Sequence, residues 1–153
     1  MAAADRPADQ RARRILFLCT HNSSRSQMAE GLLQARGGAD YSAYSAGTVP
    51  GGIHPLAIRA MAEIGIDISE AAGHHSKGLD AYAGEAFDLV VTVCDAAAGE
   101  CPFFPGARSQ QHWGFPDPSA VTGTEEERLA AFRQVRDAIA ARIEAFLDSD
   151  HAS

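Results

Sequence analysis

Residues 19–25 constrain the fold of this chain more than any other segment. They read Cys-Thr-His-Asn-Ser-Ser-Arg, follow a short apolar run over 15–18, and precede apolar residues at helical spacing. A continuous apolar run is typical of a strand buried in a parallel sheet. A loop between such a strand and the start of a helix is suited to binding an anion. The segment therefore predicts a strand–loop–helix unit, with a thiol where the loop begins.

Strand and helix patterns alternate along the rest of the chain. The strand candidates are 14–18, 41–46, 87–93 and 109–113, and the helical patterns start near Ser24, His54 and Thr124. Thr124 with Glu127 has the spacing of a capping box. The alternation predicts a single α/β domain over 14–149 with a small parallel sheet. Residues 1–13, rich in Ala, Arg and Asp, are expected to form a disordered tail.

Composition narrows the range of partners and compartments. The 153 residues suit one domain, and the formal net charge of −7 disfavours nucleic acid and anionic membrane surfaces. No apolar run approaches the roughly 18 residues that a membrane span needs. The first residues do not resemble an export signal, so we expect a cytoplasmic protein. Three cysteines in a reducing compartment are more often buried, metal-bound or redox-active than structural disulfides.

The residues of the 19–25 segment suit nucleophilic chemistry on an oxyanion. Loop amides, the dipole of the next helix and the guanidinium of Arg25 would all favour the thiolate of Cys19. The same groups would hold a tetrahedral oxyanion, because a guanidinium binds two of its oxygens at once. The predicted oxyanion-binding loop consists of Thr20, His21, Asn22, Ser23, Ser24, Arg25 and Ser26. From spacing alone, a buried cysteine with an incidental arginine stays an alternative.

Four segments resemble the low-molecular-weight tyrosine phosphatase superfamily and, within it, the thioredoxin-coupled arsenate reductases. They are 19–31 (Cys-Thr-His-Asn-Ser-Ser-Arg-Ser-Gln-Met-Ala-Glu-Gly), 44–47 (Tyr-Ser-Ala-Gly), 93–95 (Val-Cys-Asp) with Cys101-Pro102, and 112–118 (His-Trp-Gly-Phe-Pro-Asp-Pro). They occur in family order, and the resemblance covers about residues 14–147. It implies a four-stranded parallel sheet flanked by helices.

The resemblance also implies a relay of three cysteines. Cys19 would attack arsenate, Cys94 would attack the Cys19 sulfur and release arsenite, and Cys101 would then attack Cys94. A thioredoxin or similar dithiol protein would reduce the final disulfide, so no tightly bound cofactor is expected. Phosphate and sulfate would compete with arsenate. A zinc site using Cys94, Cys101 and His112 is an alternative, although no fourth ligand stands at clear spacing.

Asp117 matches the loop aspartate of the family. The resemblance implies that its carboxyl group protonates the leaving group: a hydroxyl of arsenate in a reductase, an alcohol in a phosphatase. The residues alone favour a turn-forming Asp beside Pro.

Two other functions stay open. A small phosphatase acting on phosphotyrosine or phosphoarginine would use Cys19, Arg25 and Asp117 and leave the other two cysteines without a role. Its aromatic wall would have to come from Trp113, Phe115 or Tyr82, since Ser119 follows Pro118 where such phosphatases tend to carry tyrosine. A non-catalytic oxyanion-binding module would need neither a thiolate nor a loop acid.

Some relatives bind potassium beside the loop. Asn22, Glu30 and Ser45 match positions of that site, so the resemblance implies a weak potassium site there. The remaining acidic ligand has no clear counterpart near 74–77, where Lys77 is expected to supply a positive charge instead.

Overall fold

The structure is a computed structural model that describes residues 12–94 and 104–152. Its strands are β1 (Arg13–Cys19), β2 (Tyr41–Gly47), β3 (Leu89–Thr92) and β4 (Gln110–His112), and its α-helices are α1 (Arg25–Gly37), α2 (Pro55–Ala62) and α3 (Glu125–Ala152). Single 3₁₀ turns occur at Gly38–Asp40, Glu70–Ala72, Leu79–Tyr82 and Pro118–Ala120. None of the helices within these ranges has the length and apolar character that crossing a bilayer would require.

The four strands form one parallel sheet in the order β2-β1-β3-β4. This confirms the expected fold class. In register, Leu18 of β1 stands opposite Ala46 of β2 and Thr92 of β3. The carboxyl ends of three strands therefore meet at one edge of the sheet, which is where α/β folds bind ligands.

The core has two parts, one on each face of the sheet. Along β1, Ile15 and Phe17 belong to one cluster of buried residues, while Leu16 and Leu18 belong to the other. The first cluster includes residues of all three α-helices, and the second is completed by Phe87, Phe104, Tyr82 and neighbours. Burial on both faces explains why β1 is continuously apolar instead of alternating.

Several predicted boundaries need correction. Strand β3 covers Leu89–Thr92, not 87–93, since Phe87 makes only an isolated bridge with Ala107. Strand β4 covers Gln110–His112, not 109–113. Strand β1 begins at Arg13, and residues 1–11 lie outside the described residues, so the tail over 1–13 and the domain limits 14–149 stay predictions.

Two helices begin with side-chain caps. The Nδ1 atom of His54 accepts a hydrogen bond from the Leu56 amide at 3.0 Å at the start of α2. At the start of α3, the Thr124 amide donates to Glu127 Oε1 at 3.2 Å, and the Glu127 amide donates to Thr124 Oγ1 at 3.1 Å. The capping box predicted from the sequence is therefore present, and it satisfies two amides that lack partners within the helix.

Candidate active site

The segment between β1 and α1, residues 19–25, is called the Cys19 loop. Its carbonyl oxygens accept hydrogen bonds from neighbouring segments: that of Thr20 from the Val49 amide at 2.8 Å, and that of Ser23 from the His54 amide at 2.9 Å. The His21 carbonyl accepts from both the Gly51 amide and the Ser76 hydroxyl. A loop whose carbonyls point outward turns its amides toward its centre, which creates a concave site for an anion.

Asn22 stabilises the shape of the Cys19 loop. Its φ angle of 50° is the only positive value among non-glycine residues in the described part of the chain. Asparagine tolerates this left-handed conformation better than most residues. Its Nδ2 donates to Ser26 Oγ at 2.8 Å, and its Oδ1 accepts from the Lys77 amide at 2.8 Å and from Gln27 Nε2 at 3.0 Å. The side chain thus joins the loop to α1 and to the segment that contains Lys77.

Cys19 is a buried free thiol at the carboxyl end of β1. Its Sγ lies 2.9 Å from Ser26 Oγ. Because Ser26 Oγ already accepts a hydrogen bond from Asn22, its own hydrogen can be donated to the sulfur. The sulfur therefore faces a hydroxyl donor close to the start of α1.

The described residues that line a narrow cavity over the sulfur are Cys19, His21, Ser23, Ser24, Arg25, Asp117 and Ser119. Arg25 Nη1 donates to the Phe115 carbonyl at 3.2 Å, and its Nη2 lies 3.9 Å from Asp117 Oδ2. Ser24 Oγ is buried and has no hydrogen-bond partner among the described residues, so it can donate to a bound oxyanion. Nucleophile, cation, carboxylate and free hydroxyl therefore converge on one small volume.

Cys94 follows β3 and lies at the same edge of the sheet as Cys19. The amide of Val93 donates to the Leu18 carbonyl at 2.8 Å, so the two chain segments are adjacent. Both cysteines are buried, but Cys94 is in a disulfide whereas Cys19 is a free thiol. Cys101 lies outside the described residues, so its role stays a prediction.

The oxygens proposed for potassium already have protein partners. Glu30 Oε1 accepts from Ser45 Oγ at 2.8 Å, and Oε2 lies 2.9 Å from His74 Nδ1 without the alignment of a hydrogen bond. The amide oxygen of Asn22 accepts two hydrogen bonds, as described above. Lys77 is half-buried, and burial lowers its pKa while the nearby Glu30 opposes that shift. Protein groups therefore already contact these oxygens, and the weak potassium site at Asn22, Glu30 and Ser45 stays a prediction.

The aromatic candidates do not line the cavity. Trp113 and Phe115 are buried in the core, where the Trp113 ring lies 6.0 Å from that of Phe17. Tyr82 packs at 5.6 Å against Phe87 in the other core cluster, and burial raises its pKa to about 12. The expectation of an aromatic wall from these three residues is therefore wrong.

A larger cavity, of about 600 Å³, lies between residues 79–86 and 104–106. Its described lining is mostly apolar, with Asp80 and Glu85 as its charged members, and includes no thiol or cation. The chemistry therefore belongs to the smaller cavity above Cys19, despite the difference in volume.

Sequence reasoning missed two contributors to the site. Ser119 donates to Asp117 from both its amide and its hydroxyl, and Ser76 donates to the loop carbonyl of His21. The first had a signal, because Asp-Pro-Ser is a sequence in which the aspartate often accepts from the residue two positions later. The second had none, because Ser76 is far from the loop along the chain.

The family model for low molecular weight phosphotyrosine protein phosphatases matches residues 14–152. The chain belongs to this family. An arsenate reductase of Halalkalibacterium halodurans is 48% identical to it over 135 residues, which cover 88% of this chain and 95% of that protein. The matched region includes every described residue that lines the cavity above Cys19.

Solved structures agree with this assignment. The structure of an arsenate reductase in the phosphate binding state superimposes with a TM-score of 0.74 and 29% identity, covering 90% of this chain and 98% of that one. A thioredoxin-dependent arsenate reductase of Corynebacterium glutamicum gives a TM-score of 0.67 and 27% identity, covering 96% of this chain and 65% of that one.

Proposed function

We propose that this protein reduces arsenate to arsenite through a relay of its three cysteines. The observation that carries the proposal is the placement of the Cys19 sulfur, 2.9 Å from Ser26 Oγ, in the cavity that Arg25 and Asp117 also line. The choice of substrate is supported by relatives that are arsenate reductases and that match this chain over nearly its full length.

The first step joins Cys19 to arsenic. The loop amides and Arg25 bind the arsenate oxygens, and the Cys19 thiolate attacks the arsenic atom. A sulfur–arsenic bond forms and an arsenic–oxygen bond breaks. The departing oxygen is a hydroxyl group that already carries one proton; Asp117 donates the other, and the group leaves as water. Arsenic remains in its pentavalent state at this point.

The second step carries the electrons. The Cys94 thiolate attacks Cys19 Sγ, the sulfur–arsenic bond breaks, and its electron pair stays on arsenic, which leaves as trivalent arsenite. Two thiols have then become one disulfide. Cys101 next attacks Cys94, which restores the Cys19 thiolate and leaves a Cys94–Cys101 disulfide.

The thiol states of the described residues support this order. Cys19 is free and Cys94 is in a disulfide, which is the combination that a completed relay would leave. In this disulfide-bonded state the Cys94 side chain is fully buried. After reduction its sulfur must therefore become accessible before it can attack Cys19. A dithiol protein such as thioredoxin is the proposed reductant, supported by the thioredoxin-dependent structural neighbour. Such a cycle requires a reducing compartment, which we propose to be the cytoplasm.

A phosphatase is the second candidate, because the family and the same three residues (Cys19, Arg25 and Asp117) would also hydrolyse a phosphate ester. The lining weakens the case for aryl substrates, since none of the described lining residues is Phe, Tyr or Trp. The two downstream cysteines would also have no role in hydrolysis. We therefore rank it below the reductase.

Thiol counting tests the relay directly. The fully reduced protein, freed of reductant, is mixed with one equivalent of arsenate, and free thiols and arsenite are measured. We expect two of the three thiols to disappear and one equivalent of arsenite to appear. Three intact thiols after arsenate addition would refute the relay, and phosphate in place of arsenate is the control that should leave all three free.

Two cysteine variants separate reduction from hydrolysis. Cys94→Ser should release no arsenite but keep slow hydrolysis of an aryl phosphate, because Cys19, Arg25 and Asp117 are intact. Cys101→Ser should release one equivalent and then stop with a Cys19–Cys94 disulfide. A coupled assay with thioredoxin, its reductase and NADPH measures turnover beside the aryl-phosphate assay. Parental arsenate turnover in Cys94→Ser would show that the second thiol is assigned wrongly.

A further inference from the structure

The two oxygens of the Asp117 carboxylate have different surroundings. Oδ1 accepts two hydrogen bonds from Ser119, one from its amide at 2.9 Å and one from its hydroxyl at 2.7 Å. Oδ2 lies 3.9 Å from Arg25 Nη2. Both Asp117 and Ser119 line the cavity above Cys19.

We propose that Ser119 is a positioning residue that holds the Asp117 carboxylate so that Oδ2, and not Oδ1, carries and delivers the proton. This inference rests on the proposed function, in which Asp117 is the acid. A proton on Oδ1 would be repelled by the two hydrogens that Ser119 already donates to that oxygen. Ser119 donates no hydrogen bond to Oδ2, so the proton is more stable there. Oδ2 is also the oxygen that faces Arg25, the residue proposed to bind the oxyanion.

The hydroxyl contributes more than the local turn requires. The bond from the Ser119 amide alone caps the 3₁₀ turn at Pro118–Ala120, and every residue except proline supplies that amide. The second bond, from the hydroxyl, is specific to serine or threonine. The Asp117 side chain is more than one third exposed, so without this bond its carboxylate can rotate among several orientations. A proton donor must stand within hydrogen-bond reach of its target, so rotation lowers the rate.

The test measures the single-turnover rate of thiol loss after reduced protein is mixed with saturating arsenate. Ser119→Ala should lower this rate about 3- to 10-fold, with the arsenate concentration for half-maximal rate changed less than about twofold, because orientation and not binding is lost. Ser119→Thr keeps a hydroxyl and should restore most of the rate. Ser119 is exposed, so these substitutions should leave the denaturant midpoint close to that of the parent.

A double-mutant cycle identifies the partner of the hydroxyl. In an Asp117→Ala background, Ser119→Ala should have no further effect on the rate. Equal rate losses in both backgrounds would mean that Ser119 acts through something other than Asp117, and the inference would fail. Parental rates in Ser119→Ala, with a large loss in Asp117→Ala, would overturn the inference alone. Parental rates in Asp117→Ala would overturn the proposed acid and the positioning role together.

Discussion

At the scale of single residues, the side chain of Asn22 joins the Cys19 loop to the segments around it. Asn22 is fully buried, adopts a left-handed conformation, and connects Ser26 to the amide of Lys77 through its side chain. The Ser26 hydroxyl in turn contacts the sulfur of Cys19. A change at Asn22 therefore reaches the nucleophile through one intermediate side chain.

Two substitutions at Asn22 separate backbone strain from side-chain bonding. Asn22→Gly removes the side-chain bonds but adopts the left-handed conformation freely, whereas Asn22→Ala removes the bonds and adds strain of about 1 kcal/mol. Both should lose at least about tenfold in kcat/KM for arsenate, and Asn22→Ala should also have the lower denaturant midpoint. Parental kcat/KM in Asn22→Gly would show that the backbone conformation alone shapes the loop.

At the scale of elements, the end of β2 supports the Cys19 loop by close contact. A Cβ atom added to Gly47 would lie 2.7 Å from the Asn22 amide nitrogen and 2.7 Å from the Thr20 carbonyl oxygen. Both atoms belong to the backbone of the loop, so no side chain can move away to make room. Glycine is required at this position because two chain segments touch there.

Gly47→Ala should therefore displace the Cys19 loop and weaken oxyanion binding about tenfold or more. Inhibition of arsenate turnover by phosphate measures the binding. Gly51→Ala is the matched control, because its added Cβ would lie 3.7 Å from His21 Cβ, an ordinary contact. Phosphate should inhibit that variant as it inhibits the parent. Equal phosphate inhibition in the parent and Gly47→Ala would show that the loop absorbs the added methyl group.

At the scale of the whole molecule, Glu63 links the end of α2 to α3. Its carboxylate accepts from Arg133 Nη2 at 2.6 Å and from Arg136 Nη1 at 3.0 Å, and Arg136 also donates to the Ala60 carbonyl. The hydrogen bonds from Arg133 and then Arg136 lower the pKa of Glu63 from 4.5 to about 2. The charges therefore stabilise the packing of two helices over the same face of the sheet.

This interaction predicts a pH-dependent stability. Because the pKa of Glu63 is lower in the folded protein, its stabilisation is complete above about pH 4.5 and is lost as the pH falls toward 2. Glu63→Gln should have a lower urea midpoint than the parent at pH 7, and the difference should shrink between pH 5 and 3. Glu70→Gln removes the same charge from an exposed turn and is the control. A constant difference at every pH would show that packing, not charge, is lost.

The sequence alone determined the local features. The apolar run of β1, the polar loop after it and the cap of α3 are each encoded by neighbouring residues, since burial, loop geometry and capping depend on spacing of a few positions. The motif order in the chain indicated the family, and the comparisons confirm it. The parallel sheet followed from the alternation of strands and helices.

Only the tertiary structure decided the rest. Strand β4 was predicted over 109–113, but only the exposed residues Gln110–His112 pair with the sheet. The aromatic residues proposed as a wall belong to the core, and the oxygens proposed for potassium are bonded to protein groups. The support of Asn22 by Lys77 joins residues 55 positions apart. Such contacts depend on how the elements pack, because local spacing carries no information about which distant segment will meet the loop.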